Sequence, residues 1–356
     1  MTDSLCTLLS RFTVEGTVIS CEPYGEGHIN QTYLVLTDCG KRYILQQMNR
    51  HVFQNIDQLM ANIQAVTAFL ANKAEDPRTV MGLITTVDGQ AYCEWEDGTC
   101  WRMISFVEDA ICLQRPESPE DFYQCAVAFG RFAQMLNDFP ADSLYEVIPD
   151  FHNTPNRIRL FREMLSADPL GRASQVQAEI DFVLAREEEA GTLMNLLGQG
   201  KLPLRVTHND TKINNVMLDA KTRTALCVVD LDTVMPGLSL FDYGDAVRGG
   251  ASTGAEDEKD LTKVALDLAM YESFTKGYLE ACPDLTDLER ELMPLSIKTI
   301  ALELGMRFLT DYLDGDRYFA VHYDGQNLDR CRTQFKLVQD IEEKWEQMQS
   351  ILGKLN

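Results

Sequence analysis

The sequence predicts an α+β protein in which a small antiparallel sheet precedes a larger, mainly helical part. The chain has 356 residues, more than one ordinary hydrophobic core accommodates, so we expect two lobes. Short apolar runs bounded by turn residues dominate the first third and are typical of strands. The second half instead carries apolar residues at helical spacing.

The expected N-terminal part begins with a short helix up to about Phe12 and continues as strands around one helix. Two strand-like runs flank a turn with two glycines at residues 24–30, and residues 42–47 form the next strand. Residues 56–70 carry apolar side chains at helical spacing, which predicts a helix that faces the core. Further strands are predicted at residues 83–87, 91–95 and 101–107.

The expected C-terminal part consists mainly of helices with recognisable starts. Ser118 followed by Pro119 is a strong N-terminal signal for a helix that continues to Leu136. Thr286 and Glu289 form a capping-box pattern that opens a helical stretch over residues 286–312, interrupted or kinked at Pro294. Other helices are predicted at residues 175–197, 256–280 and 328–352.

Charge and composition exclude several classes of function. The chain has 32 basic and 55 acidic residues and a net charge of -23, which argues against a main role in binding nucleic acid or anionic membranes. An acidic surface does permit a cationic substrate. The N-terminus lacks a signal-peptide pattern, no apolar run is long enough to span a membrane, and the 10 cysteines form no C-x-x-C motif. We therefore expect a soluble, cytoplasmic protein with reduced cysteines.

The stretch VTHNDTKINNVMLDAKTRTALCVVDLD contains the residues most indicative of chemistry. His208, Asp210 and Asn215 match the kinase catalytic-loop pattern H-x-D-x-x-x-x-N. Two apolar runs around a polar turn follow and predict a hairpin, which would bring Asn215 and Asp230 to the same end. Their amide and carboxylate oxygens suit Mg²⁺ that carries nucleotide phosphates.

Asp210 would be the free carboxylate that orients a hydroxyl group and accepts its proton during attack on phosphorus. A lone H-x-D is more often an ordinary turn, but the loop, the hairpin and the second acidic cluster follow in the order that phosphotransfer needs. Upstream, Gly25 and Gly27 would let the backbone approach a polyphosphate, although a tight hairpin turn explains them equally well. His28, beside them, could contact the phosphates or the acceptor, or serve only the turn.

The chain resembles the aminoglycoside phosphotransferase and choline kinase superfamily, which has the two-lobed protein-kinase-like fold. The strings EPYGEGHINQTYLV, RYILQQMN, LRVTHNDTKINN, VDLDTVMPG, LFDYGD and GMRFLTDYLDGDRYF are similar to those of bacterial N-acetylhexosamine 1-kinases, and the resemblance spans residues from about 22 to 338. It implies a nucleotide-binding lobe over residues 1–104 and a catalytic and sugar-binding lobe over residues 105–356.

The resemblance also implies the reaction, which is ATP-dependent phosphorylation of the anomeric hydroxyl of N-acetylglucosamine or N-acetylgalactosamine. Asp210 matches the family's catalytic base, and Asn215 and Asp230 match its magnesium ligands. Asp242 matches an acid that braces the catalytic loop. By fold analogy, adenine would lie against residues 105–108, including Phe106 and Val107.

Two positions depart from the general kinase pattern. Gln46 stands where a strand lysine would bind the phosphates, and Gln64 stands where its glutamate partner would be. A neutral pair can form a hydrogen bond but supplies no positive charge. We therefore predict that Lys212 supplies this charge beside Mg²⁺, against the alternative of a solvated loop lysine.

Candidate acceptor residues occur near the end of the 286–312 helix. Arg307, Asp311 and Asp314 share one helix face, with Tyr318 just beyond. A surface ion pair is the simpler explanation, but the resemblance favours Arg307 and Tyr318 as sugar contacts.

Three hypotheses stay open at this stage. The first is the N-acetylhexosamine kinase, the second a kinase of an aminoglycoside, choline or another small alcohol, and the third a nucleotide-binding pseudokinase. Under the first hypothesis the partners are ATP and a small sugar, with no nucleic acid or membrane, and the chain is a monomer or weak oligomer.

Overall fold

The computed structural model describes residues 3–25 and 30–355. Its N-terminal part is a six-stranded antiparallel sheet, with a short helix α1 (Asp3–Leu9) before it and a longer helix α2 (Ile56–Ala71) inserted after the third strand. The strand order is β1-β2-β3-β6-β4, and β5 pairs with β6. The strands are β1 (Val18–Pro23), β2 (Gln31–Thr37), β3 (Arg42–Met48), β4 (Leu83–Ile84), β5 (Cys93–Glu94) and β6 (Cys100–Ser105).

The C-terminal part contains short strands and most of the helices. One small sheet has the order β10-β9-β7 and the other pairs β11 with β8. The strands are β7 (Ala110–Cys112), β8 (Arg205–Thr207), β9 (Val216–Asp219), β10 (Ala225–Val228) and β11 (Met235–Gly237). The helices are α3 (Pro119–Met135), α4 (Thr154–Ala167), α5 (Gln177–Leu184), α6 (Glu187–Ala190), α7 (Thr192–Gly198), α8 (Ser239–Gly250), α9 (Leu268–Ala281), α10 (Asp287–Glu291), α11 (Met293–Asp314), α12 (Gln326–Glu343) and α13 (Trp345–Leu355).

Two clusters of buried apolar side chains form the core of the described chain. The smaller cluster lies between α1 and the N-terminal sheet and consists of Leu8, Leu9, Phe12, Val35, Tyr43, Leu45 and Met103. The larger cluster fills the helical part, and the apolar face of α2, with Leu59 and Ile63, belongs to it. Helix α2 therefore packs on the helical part, which ties the sheet to the rest of the chain.

The predicted arrangement of a small antiparallel sheet before a larger helical part is confirmed. The hairpin after Asn215 is formed by β9 and β10, and the Ser118 cap and the Thr286–Glu289 capping box are both present. Pro294 lies in the first turn of α11, so it starts a new helix after α10 rather than kinking a continuous one.

Some predicted strands are much shorter than expected. The runs at residues 83–87 and 91–95 are reduced to the two-residue strands β4 and β5, because a tight turn joins them. In this turn the Thr86 backbone N–H donates to the Gln90 carbonyl (2.9 Å), and the Thr86 hydroxyl accepts from the Gln90 N–H (2.8 Å). Strand β7 was not predicted.

Three predicted helices are wrong in extent. Residues 175–197 form α5, α6 and α7, since the Arg186 guanidinium donates to the Phe182 carbonyl and ends α5 there. Residues 256–267 precede α9 without joining it, because Asp260 and Asp267 accept hydrogen bonds from the backbone just after them. The last helix divides at Lys344 into α12 and α13.

Helix α4 was missed, although Asn153 before Thr154-Pro155 is a recognisable cap signal. None of the helices within residues 3–25 and 30–355 combines the length and apolar character needed to cross a membrane.

Candidate active site

The candidate catalytic loop after β8 is held by one buried carboxylate. Asp242, in the first turn of α8, accepts hydrogen bonds from the backbone N–H groups of His208 (2.8 Å) and Asn209 (2.7 Å). The Thr211 hydroxyl donates to the Asp242 carbonyl (2.6 Å). Burial raises the pKa of Asp242, against the opposing effect of His208 and these backbone donors. The brace fixes the backbone on both sides of Asp210.

His208 connects this loop to the hairpin. Its side chain is fully buried, with Nε2 2.9 Å from the Val229 carbonyl and Nδ1 accepting from the Asp210 backbone N–H (3.3 Å). The rings of Phe129 and Phe132 pack edge-on against it. His208 is therefore a structural residue that places the end of β10 beside Asp210.

The hairpin brings the two candidate metal ligands together. The Val229 N–H donates to the Asn215 carbonyl (2.9 Å). Asp230, the next residue in the chain, is therefore held close to Asn215. The Asn215 amide donates to the Asp210 carbonyl (2.8 Å) and to Asp210 Oδ2 (3.1 Å). Since both hydrogen bonds use Nδ2, the Oδ1 oxygen of Asn215 stays available for a cation.

Three properties of Asp230 suit a ligand of a cation. Its φ of 62° is in the left-handed region, which a residue other than glycine rarely adopts. Within the described part of the chain its carboxylate has no hydrogen bond or ion pair. Burial, followed by repulsion from Asp232 and Asp210, raises the pKa of Asp230 to about 6.

These residues fit Mg²⁺ bound together with phosphate. No group of three or more His, Cys, Asp or Glu side chains with metal-binding geometry occurs in residues 3–25 and 30–355. Mg²⁺ does not require such a cage, because it is commonly held by one or two carboxylates, waters and substrate phosphates. Asp230 and the Asn215 amide oxygen would supply the protein's share.

Lys212 lies directly beside the candidate base. Its Nζ is 2.8 Å from Asp210 Oδ2, and its side chain is about half exposed at 48%. Burial lowers the pKa of Lys212, but the Asp210 carboxylate outweighs it and raises the pKa overall. The ammonium group thus faces the candidate base rather than bulk solvent alone.

The structure covers only part of the predicted nucleotide site. Gly25 has a φ of 76°, a conformation that favours glycine, whereas Gly27 and His28 lie outside the described residues. The Phe106 ring lies 6.0 Å from the ring of Tyr24, which precedes Gly25. Val107, next to it, is buried in the larger core. The predicted adenine region therefore lies next to the start of the glycine turn.

The residue beside Gln46 was missed by sequence analysis. Arg102 on β6 is paired in register with Gln46 on β3, and its Nε donates to Gln46 Oε1 (2.9 Å). The other edge of the guanidinium forms a buried ion pair with Asp232, two residues after Asp230. The expected pairing of Gln46 with Gln64 is wrong, because Gln64 points to solvent from α2.

A lone arginine inside the otherwise apolar run WRMISFV was the available signal for Arg102. A buried charge of this kind needs a partner. The identity of the partner could not be predicted, because Asp232 is 130 positions away in the chain.

The candidate acceptor residues line a cavity of about 170 Å³ between α4 and α11. Arg307 and Tyr318 both contribute to it, and the Arg307 guanidinium lies 5.8 Å from the centre of the Tyr318 ring. Arg307 forms no ion pair or hydrogen bond with any residue in the described ranges, so the surface ion pair considered above is absent. Arg157 lines the same cavity and was not predicted.

Asp311 is structural rather than available to a ligand. It accepts hydrogen bonds from the backbone N–H groups of Arg317 (2.9 Å), Tyr318 (2.8 Å) and Phe319 (2.9 Å). The Asn327 side chain donates to it as well (2.9 Å). Asp311 therefore fixes the turn that carries Tyr318.

The sequence matches one family of known proteins over most of its length. Residues 20–275 match the Phosphotransferase enzyme family, APH, and since this is more than half of the chain, the protein belongs to that family. It is therefore a member of a class of enzymes that transfer phosphoryl groups.

Solved structures show the same fold at low sequence identity. A microcompartment-associated aminopropanol kinase is 16% identical, with 97% of each chain covered and a TM-score of 0.66. An amicoumacin kinase in complex with AMP-PNP, Ca²⁺ and Ami is 13% identical, covering 96% of this chain and 94% of that chain, with a TM-score of 0.62. A choline kinase from Cryptosporidium parvum Iowa II is 16% identical, covering 94% of this chain and 91% of that chain, with a TM-score of 0.55. The predicted protein-kinase-like fold class is confirmed.

Proposed function

We propose that this chain is an ATP- and Mg²⁺-dependent kinase that phosphorylates the anomeric hydroxyl of N-acetylhexosamines. The phosphotransfer part of the proposal is supported by the cluster of Asp210, Lys212, Asn215 and Asp230 at the ends of one loop and one hairpin. The acceptor part is supported by the resemblance of the sequence strings to those of N-acetylhexosamine 1-kinases and by the chemistry of the cavity that contains Arg307.

That cavity favours a neutral, oxygen-rich acceptor. Arg157 donates to the Phe151 carbonyl (3.1 Å), but its Nε is buried and has no hydrogen-bond partner among the described residues. Burial and the neighbouring Arg307 lower the pKa of Arg157. Asp311 is occupied by backbone donors, and Asp314 pairs with Arg317. The guanidinium groups of Arg157 and Arg307 can each donate further hydrogen bonds. They therefore suit hydroxyl and acetamido oxygens and disfavour an ammonium group.

In the proposed reaction, Asp210 positions the anomeric hydroxyl for attack on the terminal phosphorus of ATP. The new oxygen–phosphorus bond forms as the bond to the bridging oxygen breaks, ADP leaves, and the hydroxyl proton passes to Asp210. The anomeric hydroxyl is more acidic than an ordinary alcohol, so positioning contributes more than an extreme pKa. Lys212 offsets negative charge that develops on the transferred group. Asn215 and Asp230 would hold Mg²⁺, which would neutralise negative charge on the ATP phosphates.

A second candidate acceptor class is a small cationic alcohol. The net charge of -23 would attract such a molecule, and related folds include the aminopropanol and choline kinases named above. The positively charged guanidinium groups of Arg157 and Arg307 in the cavity oppose it locally. We therefore place this class second.

A panel of acceptors tests the proposal. ADP release should be measured by a coupled assay with N-acetylglucosamine, N-acetylgalactosamine, an aminoglycoside and choline, and phosphorus NMR of the product should identify the phosphorylated oxygen. We expect turnover with the N-acetylhexosamines and a sugar 1-phosphate as product. Turnover with choline or the aminoglycoside alone would support the second class. Nucleotide binding without turnover of any acceptor would indicate a pseudokinase and contradict the proposal.

A further inference from the structure

The buried ion pair between Arg102 and Asp232 joins the N-terminal sheet to the turn that carries Asp230. Arg102 is 2% exposed and Asp232 is 4% exposed. Arg102 belongs to β6, whereas Asp232 lies in the turn after β10. A buried guanidinium at this position needs a fixed counter-charge, and Gln46, the neighbour on its own sheet to which it donates, is neutral.

Asp232 is also held from the glycine turn. Asn30, which follows residues 26–29 and precedes β2, donates from its side-chain amide to Asp232 Oδ2 (2.7 Å). The Asn30 amide cannot simply rotate, because its Oδ1 accepts from the Asn49 backbone N–H (3.0 Å). Both oxygens of Asp232 therefore accept hydrogen bonds from the N-terminal part, one from Arg102 on β6 and one from Asn30 just before β2.

The guanidinium geometry explains why arginine is used here. Its planar fork donates along one edge to Gln46 and along the other to Asp232, which a lysine ammonium on a flexible stem reproduces poorly. Gln46 in turn donates to the Thr32 hydroxyl on β2 (3.2 Å). Three neighbouring strands thus contribute to one hydrogen-bonded network that ends on Asp232.

We propose that Arg102 is a positioning residue for the metal–nucleotide complex. Through Asp232 it sets the turn that carries Asp230 relative to the N-terminal sheet and to Asn30, so that one bound nucleotide can contact both parts. In this chain the charge that couples the two parts comes from β6, whereas Gln46 on β3 contributes only hydrogen bonds. The inference rests on the Mg²⁺ and nucleotide binding of the proposed function and is independent of the acceptor.

Nucleotide binding by variants tests the proposal directly. The dissociation constant of AMP-PNP should be measured by titration calorimetry with and without Mg²⁺ for the wild type, Arg102→Met and Arg102→Lys. For Arg102→Met we expect affinity in Mg²⁺ to fall by about 10- to 100-fold, as for other residues that orient metal ligands. The loss should be smaller without Mg²⁺, because the Asp230 turn then contributes less. The dissociation constant for Arg102→Lys in Mg²⁺ should lie between those of the wild type and Arg102→Met.

A double variant separates positioning from stability. Arg102→Met leaves Asp232 buried and unpaired, so its thermal unfolding midpoint should fall. Arg102→Met/Asp232→Asn removes both charges, so the midpoint should recover while the affinity for AMP-PNP in Mg²⁺ stays low. If affinity recovers together with stability, the pair acts only through folding and the proposal is wrong.

Glu289→Gln provides the matched control. Glu289 on α10 forms an ion pair with Arg205 on β8, and both residues belong to the C-terminal part. We expect this variant to be less stable but to bind AMP-PNP like the wild type. Wild-type affinity in Arg102→Met would overturn the positioning role and leave the proposed function intact. A wild-type protein that fails to bind Mg²⁺ and AMP-PNP would overturn both.

Discussion

At the scale of single residues, the candidate site contains three neighbouring carboxylates, which differ in their basic partners. Asp210 faces Lys212, Asp232 faces Arg102, and Asp230 has no basic partner within the described residues. Asn209 and Asp230 both have positive φ values, of 63° and 62°. Such strain in residues other than glycine persists only where the surroundings hold it, and it is common at functional sites. The carboxylate left without a partner is the one proposed to bind metal.

Lys212 is predicted to act on turnover. Replacing it with Ala removes the ammonium group beside Asp210, so kcat should fall by about 10²-fold, while KM for ATP changes little. Steady-state kinetics with a saturating acceptor measure this effect. Lys221→Ala, in the exposed turn of the hairpin, is the control and should behave like the wild type. An unchanged kcat in Lys212→Ala would remove this lysine from the mechanism.

Arg157 is predicted to act on the acceptor alone. Replacing it with Met preserves much of the side-chain volume but removes one guanidinium from the cavity, so acceptor KM should rise by about tenfold, the loss of a hydrogen bond to a charged group. KM for ATP should not change. Arg159→Met, on the exposed face of the same helix, serves as the control. Equal KM values for the acceptor in Arg157→Met and wild type would exclude this contact.

The residues of the candidate catalytic loop could be picked out from the sequence because their spacing is local. His208, Asp210 and Asn215 lie in one loop, and a short hairpin carries the chain to Asp230. Arg157 gave no comparable signal, since its importance depends on Arg307, which reaches the same cavity from another helix. Sequence spacing within one helix or loop does not reveal such a pair.

At the scale of elements, the turn after α11 links helix packing to the acceptor cavity. Asp311 in the last turns of this helix accepts three backbone N–H groups from residues 317–319. Gly315, with a φ of 94°, ends the helix and allows the chain to fold back over that carboxylate. The position of the Tyr318 ring therefore depends on a side chain one helical turn before the helix ends.

Asp311→Asn is predicted to loosen this turn. The amide replaces a charged acceptor and introduces a donor opposite other donors, which should lower the free energy of unfolding by about 1–3 kcal/mol and raise KM for the acceptor. Urea denaturation and steady-state kinetics measure the two effects, and KM for ATP should stay at the wild-type value. Asp287→Asn, at an exposed position, is the control. An unaltered acceptor KM in a destabilised Asp311→Asn protein would show that Tyr318 does not contact the acceptor.

Elements with strong local signals were predicted well. Helix α2 and the capping box of α10 depend on residues within a few positions of one another. The helices predicted with the wrong extent are interrupted by local hydrogen bonds, which the spacing of apolar residues does not reveal. Aspartates at positions 260 and 267 bond the following backbone, and Arg186 bonds a carbonyl of the preceding helix.

At the scale of the whole molecule, the candidate nucleotide site draws on both parts of the fold. The glycine turn and Phe106 adjoin the sheet, whereas Asn215 and Asp230 come from the hairpin. The register that pairs Gln46 with Arg102 arises within the sheet, whereas the contact between Arg102 and Asp232 arises only when the sheet docks on the helical part. This long-range docking is the part of the site that sequence patterns could not predict.

A ligand that contacts both parts should stabilise the whole chain. We expect AMP-PNP with Mg²⁺ to raise the free energy of unfolding by about 2.7 kcal/mol at a free ligand concentration of 100 times Kd. Chelation of Mg²⁺ with EDTA should remove most of this gain. Asp230→Asn should show little difference between the two conditions, whereas Asp219→Asn, at the other end of β9 from Asn215, should respond like the wild type. A wild-type response to Mg²⁺ in Asp230→Asn would exclude Asp230 as a ligand.

The central claim is that Asp210 orients the acceptor hydroxyl and takes its proton. The most direct test is single-turnover phosphorylation of N-acetylglucosamine by Asp210→Asn, after calorimetry has shown that the variant still binds AMP-PNP with Mg²⁺. The account predicts that the rate of sugar phosphate formation falls by about 10²- to 10⁴-fold, the range for loss of a general base. Sugar phosphate formed at the wild-type rate by this variant would contradict the account.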